Sequence, residues 1–234
     1  MPKWLEDAVA VSGLQLVDDF PRDLEQVILL HVALTVVELP QLSTEVIRSW
    51  LWERGASTPV QETRRLHGAL VARAGAGVVF LDSDDDPDER RFSLAHETAH
   101  FIQDHLMPRA LALRAFGDTI RPVLDGRRPA TRDERLSAVL RRVPLGPRVH
   151  LMTRSETGSI ITWAVEESEQ KADRLALELL APLRVFSTAA RESTPDTLAQ
   201  RFGLPKSVVH EYMALAFRPR RRPRRLSDTL RESR

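Results

Sequence analysis

Arg90–His105 reads RRFSLAHETAHFIQDH, and the reading of this stretch decides the fold. Within it, His96-Glu97-Thr98-Ala99-His100 has the form H-E-x-x-H. A helix turns about 100° per residue, so positions four apart return to one face. His96 and His100 can then aim two imidazole rings at one point. Zinc accepts such nitrogens at about 2.0–2.1 Å and keeps room for a third protein ligand and a water. Glu97 follows the first histidine and is placed to act on that water as a general base. The plainer alternative is a buried helix whose histidines are only hydrogen-bonded. Two histidines and a glutamate at this fixed spacing favour the metal site over it.

The pattern carries this meaning only on a helix. Asp86-Pro87-Asp88-Glu89 is a start signal: Asp86 is expected to cap, Pro87 suits the first helical position, and Glu89 sits at capping-box distance. Phe92, Ala95, Ala99 and Ile102 then recur at spacings of three and four, an apolar stripe with the histidines at its edge. Pro108 is expected to end the helix. His105, five residues beyond His100, should turn away from the ligand face and sit at the negative end of the helix dipole.

Just upstream, Leu66–Arg73 and Val78–Ser83 read as two strands joined across Ala74-Gly75-Ala76-Gly77, a hairpin that feeds into the helix. Gly68 in the first strand allows either a close backbone approach or a bulge. The acidic run Asp82–Asp88 lacks the glycine and distal glutamate of a calcium loop, and reads as a solvated loop plus the cap.

Downstream, Val165–Ala181 (VEESEQKADRLALELLA) reads as a helix closed by Pro182, with Ala172, Leu175, Ala176, Leu179 and Leu180 buried. Glu169 and Asp173 lie on the same side as the alanines. Acids there are costly unless something positive faces them. A metal ion resolves this: Glu169 becomes the third ligand, and Asp173 accepts a hydrogen bond from the far ring nitrogen of a ligating histidine. Glu166 is the rival if the register slips, and Glu166, Glu167 and Glu178 otherwise face solvent.

H-E-x-x-H followed by E-x-x-x-D on a later helix is the gluzincin pattern. More closely, the chain resembles the ImmA/IrrE family of regulatory metallopeptidases. The likeness is carried by LHGALVARAGAGVVFLDSDDDPDERRFSLAHETAHFIQDH and EQKADRLALELLAP, and more weakly by LAQRFGLPKSVVHEYM. It covers residues 60–105 and 166–217. The resemblance implies His96 and His100 as ligands, Glu97 as the catalytic glutamate and Glu169 as the third ligand. Asp173 stands where the family usually has asparagine, and Thr98-Ala99 replaces the commoner Leu-Gly. It further implies one Zn²⁺ per chain, with Mn²⁺ or Fe²⁺ also compatible with a His₂Glu site. Glu97 would pass the water's proton to the leaving nitrogen. The implied activity is site-specific cleavage of a protein substrate such as a helix-turn-helix transcriptional repressor.

The rest of the chain reads as scaffold and appendage. Pro21–His31 and the segment capped by Ser43 read as helices, the latter ending at Gly55, and Ala33–Leu39 as a strand. Trp50 and Trp52 are expected to pack. Residues 106–160 resemble nothing in the family and suggest an insertion that walls or covers the site. Thr131 and Glu134 should form a capping box at the head of a helix within it, and His150 reads as a strand histidine. Tyr212, the one tyrosine, is a weak candidate for an oxyanion donor.

Thr194–Phe217 has helix-turn-helix spacing. Read as a DNA-binding unit it would present Lys206, Ser207 and His210, but a structural or substrate-docking role is favoured. Arg218–Arg225 (RPRRRPRR), six arginines and two prolines, reads as a disordered basic tail able to attract nucleic acid.

The expected fold is therefore α+β. A zincin, gluzincin-like metallopeptidase core spans 1–186, with 106–160 as its insertion. A helix-turn-helix-like pair follows over 187–217, then a basic tail over 218–234. The rival readings are a DNA-binding transcriptional regulator with a structural or vestigial metal site, and a toxin–antitoxin component. Composition sets the outer bounds. In 234 residues there is no cysteine, so thiolate metal sites are excluded. The net charge of +1 gives no global pull toward nucleic acid or membrane. No segment reads as a signal peptide or a membrane span, and a soluble cytoplasmic protein is expected.

Overall fold

The structure is a computed structural model, and it describes residues 1–56, 64–141, 143–145, 150–153 and 163–217. It is α+β. Helix α1 (Lys3–Ser12) and helix α2 (Leu24–His31) lead into strand β1 (Leu34–Leu39) and helix α3 (Thr44–Trp52). The hairpin strands β2 (Gly68–Arg73) and β3 (Ala76–Asp82) deliver the chain to helix α4 (Pro87–His100). A π-helical turn (Phe101–Leu106) joins α4 to α5 (Met107–Phe116), followed by the short α6 (Arg121–Leu124) and α7 (Arg132–Arg141). Strand β4 (His150–Thr153) precedes helices α8 (Trp163–Leu180), α9 (Leu183–Ala189), α10 (Pro195–Phe202) and α11 (Lys206–Ala216).

The sheet has the order β1-β3-β2-β4. Strand β1 runs parallel to β3, and β2 is antiparallel to both β3 and β4. The two faces are apolar for different partners. Leu70, Ala72, Val79 and Leu81 face the cluster that holds α4 and α8. Ala69 and Phe80 join Leu42, Ile47 and Leu51 around α3. Burying a Leu, Ile or Phe contributes about 1.5–3 kcal/mol each, so α4, packed on one face, is held between sheet and α8.

Local signals explain most boundaries. Ser43 Oγ accepts from Val46 N at 3.3 Å, the cap expected for α3. Thr131 and Glu134 form the reciprocal box, with Thr131 N donating to Glu134 Oε2 at 2.7 Å and Glu134 N to Thr131 Oγ1 at 3.2 Å. Others differ. Helix α2 starts at Leu24 because Asp23, not Pro21, supplies the cap, accepting from Gln26 N at 3.0 Å. Asp86 makes no side-chain cap bond on α4, and the N-terminus rests on Pro87 and two acids. The hairpin turn is only Ala74-Gly75, both at positive φ (55° and 90°). Trp50 packs edge-on to Phe80 at 5.1 Å, whereas Trp52 is 76% exposed.

Pro108 does not end the helix. It falls in the first turn of α5, directly after the π-helical turn, a position that tolerates proline. His105 lies off the ligand face, as expected, but it is not at a helix end, because the helical run continues through the π-helical turn into α5. His105 is buried, stacks on Phe101 at 5.2 Å, and accepts from Gly75 N at 2.8 Å, tying the turn to the hairpin.

Within 106–160, the described part forms its own small cluster of Ala112, Ile120, Val123, Leu124 and Val143. His150 stands in β4 opposite Ala72. Residues 218–225, read as a basic tail, lie outside the described residues. Among the described residues no helix is long and apolar enough to cross a membrane.

Candidate metal centre

Helices α4 and α8 pack together and bring three donors to one place. His96 and His100, four apart on α4, are buried at 1% and 0% exposure. Their Nε2 atoms are 3.0 Å apart. Glu169, from α8, reaches both: Oε2 lies 3.3 Å from His96 Nε2, and Oε1 lies 3.5 Å from His100 Nε2. Among the described residues, His96, His100 and Glu169 form the group that could hold a metal ion. Donors about 2.0–2.2 Å from a tetrahedral centre lie about 3.3–3.6 Å from each other. Two of the three observed separations fall in that range and the 3.0 Å one just below it, so the donor set fits a small divalent cation. Glu166, the register rival, is spent on Gln170 Nε2 at 3.3 Å, one turn along α8.

The outer nitrogens are braced by carboxylates. His96 Nδ1 lies 2.8 Å from Asp173 Oδ1, and His100 Nδ1 lies 2.9 Å from Asp104 Oδ2. A carboxylate can only accept, so both Nδ1 atoms carry the hydrogen and both Nε2 lone pairs turn inward. Asp173 comes from one turn after Glu169 on the same face of α8. Asp104 went unread in the sequence. Its signal was present, an acid four residues after His100 in the same helical run, but it reads equally as a solvated helix-end charge.

Without a metal ion the same neighbours favour a protonated His100, whose Nε2 hydrogen then occupies the side that a cation would take. Burial works to lower the pKa of His100, but its hydrogen bonds to Asp104 and Glu169 and the negative charge of Glu97 outweigh it and raise the pKa to about 9. Burial works to raise that of Glu169, but the bonds and charge of His100 and His96 hold it well below the usual carboxylate range.

Glu97 points toward the sheet rather than toward α8. It is 2% exposed. A Cβ placed on Gly68 would lie 3.2 Å from Glu97 Cγ and 3.3 Å from its Oε1. The β2–β3 register runs without a bulge from Gly68↔Leu81 onward. Close approach is therefore the reason for glycine at this position: the bare backbone of β2 makes room for the Glu97 carboxylate.

The other candidates lie elsewhere. Lys206, Ser207 and His210 are exposed on α11 and belong to no cluster with the histidines. Lys206 Nζ is paired with Asp196 at 2.7 Å. Tyr212 donates its hydroxyl to Ala181 O at 2.8 Å in the core, so it is not an oxyanion donor. Two grooves approach the centre from outside. One, of about 920 Å³, runs between α8 and α11 and exposes Asp173. The other, of about 320 Å³, opens beside Asp104.

Residues 57–120 match the peptidase family described as the IrrE N-terminal-like domain. That stretch holds His96, Glu97, His100, Gly68 and Asp104, but not Glu169 or Asp173. The match implies a metallopeptidase-type function. No curated protein and no solved structure matches the chain.

Proposed function

We propose, from the premise that residues 57–120 form an IrrE N-terminal-like peptidase domain, that the chain is a metal-dependent endopeptidase with a gluzincin-like site. The observation that carries this reading is the convergence of His96, His100 and Glu169 beside a buried Glu97. A cation held only for structure has no need of that fourth residue.

His96, His100 and Glu169 would hold the cation. Two imidazoles and a carboxylate suit Zn²⁺, and Mn²⁺ or Fe²⁺ also accept such a set. Bound there, a divalent cation supplies Lewis acidity and lowers the pKa of a water toward about 7. The chain's own residues do the rest. Asp173 keeps His96 in the tautomer that presents Nε2. Glu97, held by α4 against Gly68, takes the proton of the attacking water and returns it to the leaving nitrogen. Its burial keeps bulk water from competing for that proton.

The likeness to ImmA/IrrE proteins supports a protein substrate, such as a helix-turn-helix repressor, and a regulatory rather than digestive role. Helices α10 and α11 suit docking of that substrate more than DNA reading. Lys206 is already engaged by Asp196, and Glu211 lies beside His210.

The test is metal content of the purified full chain, with His96→Ala and Glu97→Gln beside it. About one metal per chain is expected, lost in His96→Ala and kept in Glu97→Gln. Cleavage of candidate repressors should drop by about 10²–10⁴ in Glu97→Gln. Cleavage that persists undiminished in Glu97→Gln sinks the proposal.

A further inference from the structure

We infer that Asp104 is a second positioning carboxylate of the metal centre, fixing His100 from behind as Asp173 fixes His96. The inference rests on the metal-dependent reading above and names a residue that the E-x-x-x-D pattern on α8 does not include.

Four observations carry it. First, the two pairs are close to equivalent: Asp173 Oδ1 to His96 Nδ1 is 2.8 Å, and Asp104 Oδ2 to His100 Nδ1 is 2.9 Å. Second, His100 is fully buried. In a buried ring the position of the proton is set by the partner of the other nitrogen. The Asp104 carboxylate holds the hydrogen at Nδ1, which leaves Nε2 to face His96 Nε2 and Glu169 Oε1 at 3.0 and 3.5 Å. Third, Asp104 is held in place by its own segment. It sits in the π-helical turn Phe101–Leu106, whose next residue, His105, is tied to Gly75 N at 2.8 Å. Fourth, the Asp104 side chain is 25% exposed and borders the groove of about 320 Å³. One side of the carboxylate meets solvent while the other meets the ring, so its charge is retained without the full cost of burial.

The two braces differ in origin. Asp173 acts across the helix interface, from α8 to α4. Asp104 acts within one continuous helical run, so its bond to His100 does not cross the α4–α8 interface.

The experiment is zinc competition against a chromophoric chelator, on the full chain and on Asp104→Ala, Asp104→Asn, Asp104→Glu and Asp173→Ala. Asp104→Ala should weaken zinc binding by about 10–100-fold, as expected for an outer carboxylate. Asp104→Asn should lose less, because its amide oxygen still accepts, and Asp104→Glu should restore most of the affinity. A second readout separates positioning from simple support of the helix. Nitrogen-15 spectra of the zinc-loaded protein should show a protected His100 Nδ1–H that disappears in Asp104→Ala and is retained in Asp173→Ala, a site-specific change that general support of the helix would not produce. Wild-type affinity in Asp104→Ala, with Asp173→Ala weakened, overturns this inference alone. A parent chain that binds no zinc overturns it together with the reading beneath it.

Discussion

Gly68 and Glu97 occupy space that a single methyl group would contest. Gly68→Ala places a Cβ 3.2 Å from Glu97 Cγ, closer than ordinary van der Waals contact, so the carboxylate must shift by a few tenths of an ångström. A 1 Å misplacement at a reacting centre costs about 10²-fold, so roughly a tenfold loss in kcat is expected. Metal content should be unchanged, and the two measurements together check the argument. The protonation of the ligands makes a second prediction. In protein stripped of metal, His100 carries a pKa raised from 6.5 to about 9. Its stabilising contribution is complete below pH 6.5 and lost as pH rises through 9. Glu169, depressed from 4.5, contributes above that pH and loses its contribution as pH falls through its lowered value. The melting temperature of metal-free protein should therefore fall between pH 6.5 and 9, while zinc affinity rises over the same interval because the metal displaces the proton. A melting temperature flat across that interval would contradict the His100 assignment. At this scale the sequence was legible where spacing alone fixes geometry. His96, Glu97 and His100 came from one motif, and Glu169 and Asp173 from acids on an apolar stripe. Asp104 was not legible, because an acid near a helix end is common and only the position of the His100 ring gives it a role. Gly68 was legible as special but not as to why, since the distance to Glu97 depends on how α4 lies on the sheet.

The elements that frame the site are joined by two local irregularities. One is the Ala74-Gly75 turn, the other the π-helical turn beneath it. Ala74 has φ 55°, a conformation that costs a residue with a Cβ about 1–2 kcal/mol. Ala74→Gly should remove part of that cost and add about 1 kcal/mol of stability, a rise of about 2–4 °C in Tm for a domain of this size. An unchanged or lowered Tm would show that the greater freedom of glycine in the unfolded chain cancels the gain. The hairpin was readable from alternation and its glycines, but its loop came out two residues too long, because the strands extend as far as the turn allows. The π-helical turn was not readable. Pro108 marks a break in an α-helix, and nothing in the one-dimensional pattern shows that wider bonding before it lets the chain continue. Helix α7 was read from its box alone, and the reciprocal bonds between Thr131 and Glu134 show why so short a signal sufficed.

Across the whole molecule, the C-terminal helices share the core of the metal centre. Leu198, Phe202, Val209 and Tyr212 belong to the same buried cluster as Ala95, Ala99, Leu175 and Leu179. Arg22, 5% exposed, donates to Leu179 O at 2.6 Å and to Glu178 O at 3.3 Å, capping the C-terminal end of α8 from the N-terminal part of the chain. Ending the chain at residue 193 removes α10 and α11 and with them those four side chains. At about 1.5–3 kcal/mol each, that approaches the whole stability of a typical domain. The shortened chain should lose cooperative melting and zinc binding together, whereas a chain ending at residue 217 should keep both. A chain of residues 1–193 that melts sharply near the parent temperature would show the helix pair to be an independent unit. In one dimension the pair looked like a motif added after a finished domain, because helix-turn-helix spacing describes how two helices meet each other and not what lies beneath them. The contact between Gly68 and Glu97 has a consequence for descent as well as for chemistry. Any side chain at that position meets Glu97 first, so if Glu97 is the general base proposed above, the glycine and the glutamate are constrained together. In a related chain that keeps its two histidines, a bulky residue in place of this glycine would then mark a lineage in which the cation has stayed and hydrolysis is no longer selected.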